Sequence, residues 1–387
     1  EQAGQNTIFG LFNLFSGGAF AKFAIFTLGI MPYISASIIL QLLTVVWPRL
    51  EQLSKEGEQG RRKITQYTRY LTVGLAAIQG LGISMGLEQM QGGEFVLRTG
   101  WTFRILTVIT LTSGTAFIMW LGEQISERGI GNGISLIIFA GIVDRLFPAI
   151  ISTFGQLRSG DMKPFVAVLI LVVVVIVFGG TVLMQQAVRK VPVQYAKRVV
   201  GRKMMGGQST HIPLRINTAG VIPVIFAQSL IMFPLTIAKF LPTESLWVQT
   251  IIDMLSPGHI VYMLLYVGLI IFFCYFYTAI IFNPVDLADN MKKYGGFIPG
   301  IRPGKKTSDY IDRVLTRITL VGSIFLSAIA ILPSILIAFF HVPFYYGGTA
   351  LLIVVGVGLD TVQQIESHLL MRHYDGFLKG GVSGRRR

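Results

Sequence analysis

Few residues of this 387-residue chain have the types and spacing that chemistry at a metal or phosphate would require. Its five histidines show no i, i+4 pairing and no neighbouring cysteine, so no metal site is expected. The run GIGNG from Gly129 lacks the Lys-Ser/Thr of a P-loop and follows an apolar helix, so a tight turn in which Asn132 or Gly133 begins the next helix explains it better. Without a nucleophile elbow or a metalloprotease motif, we expect no enzyme activity and no cofactor.

Charged side chains inside the apolar segments are the next candidates for chemistry, because ion-coupled carriers generally place them at mid-membrane. Asp144 and Arg145 lie about 18 Å along their predicted helix from Asn132 and fit a local pair or a wet funnel, with a coupling site as the alternative. Polar and helix-loosening residues are more frequent, and lipid does not favour them, so they predict helices around a water-filled path. They are Pro32, Ser35, Ser37, Gln41, Gln79, Pro223, Gln228, Gly356 and Gly358.

The composition indicates which elements must position these residues. Hydrophobic residues make up 52% and charged residues only 13%, which excludes an ordinary soluble fold. Cys274 is the only cysteine, which excludes a disulfide scaffold. Nine mostly apolar stretches have about the length that a helix needs to cross a bilayer, and the sequence therefore predicts an all-α, polytopic membrane protein. They are 22–46, 65–87, 102–122, 133–152, 164–186, 217–238, 260–282, 316–340 and 345–365. Gly82 and Gly86 have the spacing of a close helix contact.

The distribution of Lys and Arg predicts the orientation. The loops 47–63, 122–132, 188–217 and 283–317, the tail from 367, and Arg69 carry 26 of the 33 basic residues. This places these segments and the C-terminus in the cytoplasm, and the N-terminus outside. The loops 188–217 and 283–317 each hold seven bases, which indicates binding to acidic lipid, RNA or an acidic protein surface, or simply the positive-inside bias.

An external N-terminus without a signal peptide predicts that an upstream membrane helix precedes this chain, with a genuine N-out protein as the alternative. The apolar segment Ile8 to Gly18 is too short to cross the membrane and indicates a re-entrant or an interfacial segment.

Longer motifs resemble a known family. They include FNLFSGGA from Phe12, GIMPYISASIILQLL from Gly29, MWLGEQISERGIGNGIS from Met119, QSTHIPLRINTAGVIP from Gln208 and VPFYYGGTALLIVV from Val342. Together with EGEQGRRKITQYTRY from Glu56 and PGIRPG from Pro299, they resemble the SecY family, the pore subunits of the bacterial protein-conducting translocon.

The resemblance implies ten membrane helices in two pseudo-symmetric halves, of which this chain would hold helices two to ten. It implies an external segment with a plug-like helix at 1–21, an N-terminal half at 22–154, an external linker at 155–163, a C-terminal half at 164–366 and a cytoplasmic tail at 367–387. It also implies a location in the bacterial plasma membrane.

Site residues carried over by the resemblance form four groups. The plug is Phe9, Leu11, Phe12, Asn13, Leu14, Phe15, Ser16, Gly17 and Gly18; the pore ring is Ile30, Ile34, Ile138, Ile225 and Ile353. The lateral gate is Ser35, Gln41, Gln79, Asn217 and Gln228; the docking surface for SecA and the ribosome is Lys197, Arg198, Arg202, Lys203 and Arg302.

The resemblance further implies the partner subunits SecE and SecG, the motor ATPase SecA, the ribosome, membrane lipids and an unfolded polypeptide substrate. A secondary transporter for a small solute and a membrane scaffold without a pore are the competing classes. A transporter would need a binding constellation at the membrane midplane and discontinuous helices.

Overall fold

The computed structural model describes residues 23–89, 99–160, 163–195, 198–200, 203–205, 209–238, 250, 254–255, 259–340 and 348–382. The helices are α1 Met31–Val46, α2 Pro48–Lys55, α3 Glu58–Gln89, α4 Trp101–Arg128, α5 Gly133–Ser159, α6 Pro164–Gln186, α7 Ile222–Ala238, α8 Ile260–Ile281, α9 Pro284–Lys293, α10 Lys305–Phe340 and α11 Gly348–Val382. The strands are β1 Val188–Tyr195, β2 Arg198–Val200, β3 Lys203–Met205, β4 Ser209–Arg215 and β5 Gly296–Phe297.

Each of the nine predicted spans overlaps one of these helices, so the prediction of a helical, polytopic protein is confirmed. Seven helices in the described part of the chain are long and apolar enough to cross a membrane, and an eighth span is formed if α1 and α2 count as one bent element. Three predicted region boundaries fall inside helices. Helix α5 continues past 154 to Ser159, α10 begins at Lys305 before the predicted loop end at 317, and α11 continues past 366 to Val382.

The first span differs most from its prediction, because its regular helix begins at Met31 and not at 22. Residues 23–30 form turns, in which the Thr27 amide donates to the Ala24 carbonyl at 3.0 Å and the Gly29 amide to Phe26 at 2.9 Å. At the other end α2 leaves at 99° to α1. Pro48 explains this bend, because the residue before a proline is restricted to extended backbone, and Trp47 adopts φ −102° and ψ 113°.

The turn between α4 and α5 is the one predicted from GIGNG. The Asn132 side chain accepts hydrogen bonds from the amides of Ile134 and Ser135, which caps α5. A Cβ on Gly133 would lie 2.0 Å from the Gly122 carbonyl oxygen, so only glycine permits this approach. The expectation for Gly86 was wrong, since a Cβ there meets open space. Helix α3 approaches α4 at Gly80 instead, where a Cβ would lie 3.5 Å from Val108 Cα.

The two long basic loops contain strands that the sequence analysis did not predict. Strand β1 pairs antiparallel with β4 along seven residues and with β5 at two, in the order β4-β1-β5, and β2 pairs with β3. Pro192 lies inside β1, but β5 pairs only with Gln194 and Tyr195. At Pro192, β1 therefore pairs with β4 on one side and with no described strand on the other. Proline has no N–H to donate, and it is tolerated at such an edge position.

A small apolar core joins the two loops into one unit, which we call the loop subdomain: β1, β4, β5, α9 and the first turns of α10. Its buried members are Val191, Val193, Leu214, Met291, Ile298, Ile311 and Leu315. The main core of the molecule is a separate cluster between the membrane helices.

Candidate functional site

All five residues of the predicted pore ring belong to the main core, where they form part of one continuous cluster of buried side chains. Ile30, Ile34, Ile138, Ile225 and Ile353 have exposed fractions of 1%, 4%, 2%, 6% and 1%. They come from the start of α1 and from α5, α7 and α11, which are far apart in sequence. Side chains from these four helices thus meet in one buried aliphatic cluster.

The two helices of the predicted lateral gate, α1 and α7, pack against each other in a seam. Ser35 on α1 and Gln228 on α7 are both buried. Gln79 is buried on α3, which contacts both α1 and α7. Among the described residues, Gln79 Oε1 and Gln228 Nε2 have no hydrogen-bond partner. The seam thus contains polar groups with unused hydrogen-bonding capacity.

Gln41 connects this seam to α8, a helix that was not predicted to take part in the gate. The Tyr277 hydroxyl on α8 donates to Gln41 Oε1 at 2.7 Å, and Gln41 Nε2 donates to Ser37 Oγ at 3.3 Å. Tyr277 also packs its ring edge-on against Phe226 of α7, with centroids 5.3 Å apart. The spacing of Tyr262, Tyr266 and Tyr277 could have indicated a shared helix face, since 4 and 11 residues are close to whole turns.

Asn217 occupies a different position from the other predicted gate residues. Its amide donates to the Gly220 carbonyl at 2.9 Å, within the turn that joins β4 to α7. The Thr218 hydroxyl donates to the Arg215 carbonyl at 3.0 Å in the same turn. Asn217 therefore stabilises the connection into α7.

The predicted plug residues Phe9, Leu11 to Phe15, Ser16, Gly17 and Gly18 lie outside the described residues, as do Lys197 and Arg202 of the docking surface. Arg198 and Lys203 lie in the paired strands β2 and β3. Arg302 is exposed in a defined turn between β5 and α10. Gly300 and Gly304 have φ of +80° and +104°, and the Thr307 hydroxyl donates to the Arg302 carbonyl at 2.9 Å. The motif PGIRPG therefore forms a defined turn.

Two ion pairs that the sequence analysis did not foresee join α3 to α4 at different levels. Near one end, Glu88 on α3 pairs with Arg104 on α4. Glu88 Oε2 accepts hydrogen bonds from Arg104 Nε at 2.9 Å and from Arg104 Nη2 at 2.6 Å. Glu88 Oε1 accepts a third from the Gly100 amide at 3.0 Å. Toward the other, Arg69 Nε donates to Glu123 Oε1 at 2.9 Å, and Nη2 lies 2.8 Å from Oε2. The Arg69–Glu123 pair is bidentate, which fixes its geometry, and together the two ion pairs hold α3 and α4 in register.

Comparisons with known proteins give matches over most of the chain. The family model described as SecY matches residues 24–362. The protein translocase subunit SecY of Escherichia coli (strain K12) is 52% identical over 378 residues, which covers 97% of this chain and 85% of that relative. The protein translocase subunit SecY of Pseudomonas aeruginosa is 50% identical with the same coverage.

Solved structures share the fold at lower identity. "The structure of a protein conducting channel" superposes with a TM-score of 0.64 at 20% identity, covering 88% of this chain and 81% of that chain. A SecY structure described by the role of its plug domain superposes with a TM-score of 0.65 at 19% identity, covering 93% and 90%. On the family match and the identity to translocase subunits, this chain belongs to the SecY family.

Proposed function

We propose that this chain is the central pore-forming subunit of a protein-conducting channel in the bacterial plasma membrane. It passes unfolded secretory proteins across the membrane and releases the helices of membrane proteins into it. The observation that carries the proposal is the single buried cluster that contains Ile30, Ile34, Ile138, Ile225 and Ile353, in a chain half identical to translocase subunits.

The ring serves as the seal. Aliphatic side chains leave no favourable place for an ion, whereas they rearrange around a polypeptide at little electrostatic cost. The subunit itself is a passive, non-catalytic conduit. We further propose that the segment from Phe9 to Gly18 closes the external side as a plug.

The seam between α1 and α7 serves as the lateral gate. Interhelical hydrogen bonds in membranes are weak, at about 0.6 kcal/mol on average, so a hydrophobic signal helix can replace them. Two observations support this role. The Gln41–Tyr277 hydrogen bond joins α1 to α8. Gln79 Oε1 and Gln228 Nε2 have no partner among the described residues, so these side chains are only partly hydrogen-bonded in the closed seam.

The loop subdomain serves as the docking face. One structure of similar fold is described as Sec61 in a ribosome-channel complex, and another as a yeast Ssh1 complex bound to the 80S ribosome. We propose that the ribosome and SecA bind here, in the cytoplasm, with Arg302 as a contact, alongside Lys197, Arg198, Arg202 and Lys203. The charge distribution supports a cytoplasmic C-terminus. SecE and SecG are the proposed partner subunits within the membrane.

Reconstitution tests the proposal. The chain is inserted into vesicles with its partner subunits, and the passage of a secretory precursor is compared with that of small solutes. We expect the precursor to cross when the motor and ATP are present, while small solutes stay outside. Saturable uptake of a solute without precursor transport would indicate the transporter class instead.

The seal is tested separately. Replacing Ile34 and Ile225 with serine places hydroxyls in the constriction, and we expect ion leak to rise in the resting channel. Unchanged conductance in that double variant would exclude the ring as the seal.

A further inference from the structure

Gly356 on α11 occupies a contact with no room for a side chain. A Cβ there would lie 2.1 Å from Val221 Cγ2 and 2.8 Å from Gln185 Nε2. Carbon atoms in good packing contact are about 3.5 to 4.0 Å apart. The Gln185 amide ends a flexible side chain and can turn away, but Val221 is buried and stiff about χ1. A methyl group at 356 therefore has to push α11 away from the start of α7.

This contact lies next to two residues of the pore ring. The Val221 carbonyl accepts hydrogen bonds from the Val224 amide at 3.1 Å and from the Ile225 amide at 3.3 Å, so Ile225 is tied directly to the residue that Gly356 faces. On the other helix, Ile353 precedes Gly356 by about one turn. Displacement at this contact is consequently transmitted to both Ile225 and Ile353.

We propose that Gly356 is a positioning residue for the pore ring, whose missing side chain sets the spacing of α7 and α11 and thereby the bore of the constriction. The inference rests on the proposed function, because it assigns a consequence to Ile225 and Ile353 as parts of the seal. The proposed role is positional, since Gly356 acts through the placement of Ile225 and Ile353.

The chain contains a matched control on the same helix. A Cβ on Gly358 would meet one atom at the edge of the range, Phe139 Cε2 at 4.0 Å. Alanine forms helix better than glycine at both positions, so a leak confined to Gly356→Ala cannot come from a weakened helix. A second change restores the space: with Val221→Ala, the nearest remaining atom of residue 221 is its Cβ, 3.4 Å from the new methyl group.

The experiment compares resting channels of the full chain with its partner subunits in planar bilayers, with current carried by potassium or by the larger tetraethylammonium ion. We expect a gain of current with both ions in Gly356→Ala, none in Gly358→Ala, and a return to the parent's sealed state in Gly356→Ala/Val221→Ala. Ile225→Gly reports on the ring itself. A sealed Gly356→Ala channel beside a leaking Ile225→Gly channel would overturn the inference and leave the proposed function intact.

Other outcomes separate the two ideas further. A sealed Ile225→Gly channel would refute the ring as the seal, and equal leak in Gly356→Ala and Gly358→Ala would overturn the positioning role. If Gly356→Ala fails to insert, the comparison is made in the Val221→Ala background, with leucine at 356 as the wedge and alanine as its control. A sealed leucine channel would then contradict the inference.

Discussion

The hydrogen bond between Tyr277 and Gln41 is the most direct test of the gate, because one atom can be removed without disturbing the packing around it. Tyr277→Phe deletes the hydroxyl that donates to Gln41 Oε1 at 2.7 Å. The phenyl ring keeps its edge-on contact with Phe226, and Gln41 keeps its bond to Ser37. The change therefore isolates one bond between α8 and α1.

The magnitude follows from the setting of the bond within the membrane. Interhelical hydrogen bonds there contribute about 0.6 kcal/mol on average and about 1.7 kcal/mol at most. If the bond forms only in the closed state, its loss lowers the ratio of closed to open channels by about threefold to about eighteenfold. Export of a precursor whose signal peptide is too weak to open the parent channel efficiently should accelerate by a similar factor.

Tyr275→Phe is the matched control. Tyr275 lies on the same helix and donates to the Thr316 carbonyl of α10 at 3.1 Å, so it loses a comparable bond that does not cross the seam. We expect export through Tyr275→Phe to equal that of the parent. Gln41→Leu should accelerate export as Tyr277→Phe does, with no further gain in the double variant, because both remove one interaction. Equal rates for Tyr277→Phe and Tyr275→Phe, or additive effects in the double variant, would refute this reasoning.

Three further predictions concern the docking turn and the helix contacts. Arg302→Glu should abolish SecA-driven translocation with insertion intact, while Lys305→Glu, the same charge change three residues away, should translocate; equal rates in both would remove Arg302 from the docking surface. Glu88→Gln should lower the thermal unfolding midpoint by a few degrees, whereas Glu51→Gln, which breaks an exposed pair with Lys55, should leave it unchanged. Gly133→Ala should destabilise the α4–α5 turn by about 1–3 kcal/mol in thermal or denaturant unfolding. Gly155→Ala has open space and serves as its control, and similar unfolding of the two would show that the close approach is unimportant.

The helices were predictable because their information is local. A run such as Ile260 to Ile281 contains enough apolar residues to define a span by itself, and Asn132 marks a helix start by its own side chain. The strands were not predicted: Pro192 argues against a strand at β1, and although β1 pairs with the nearby β4, its pairing with β5 joins residues about 100 positions apart. Pairing over that distance leaves no pattern within either segment.

The site was predictable only in part for the same reason. Each isoleucine of the ring resembles many others in apolar helices, so the family resemblance selected them where periodicity could not. The contacts of Tyr277 and of the Glu88–Arg104 pair were not predicted, because each depends on a partner in another helix. Sequence alone does not specify which faces of two helices meet.

The loop subdomain also has a consequence for the order in which the protein is assembled. Gln194 pairs with Phe297, and both α7 and α8 are made between them. At a synthesis rate of about 5–20 residues per second, β1 waits about 5–20 seconds for β5 to emerge. Until then the apolar residues Val191 and Val193 lack the partners that α9 and α10 supply. The proposed docking face is consequently unfinished in a half-made chain, and we expect that a ribosome or motor does not engage it while the helices of the proposed gate are still being inserted.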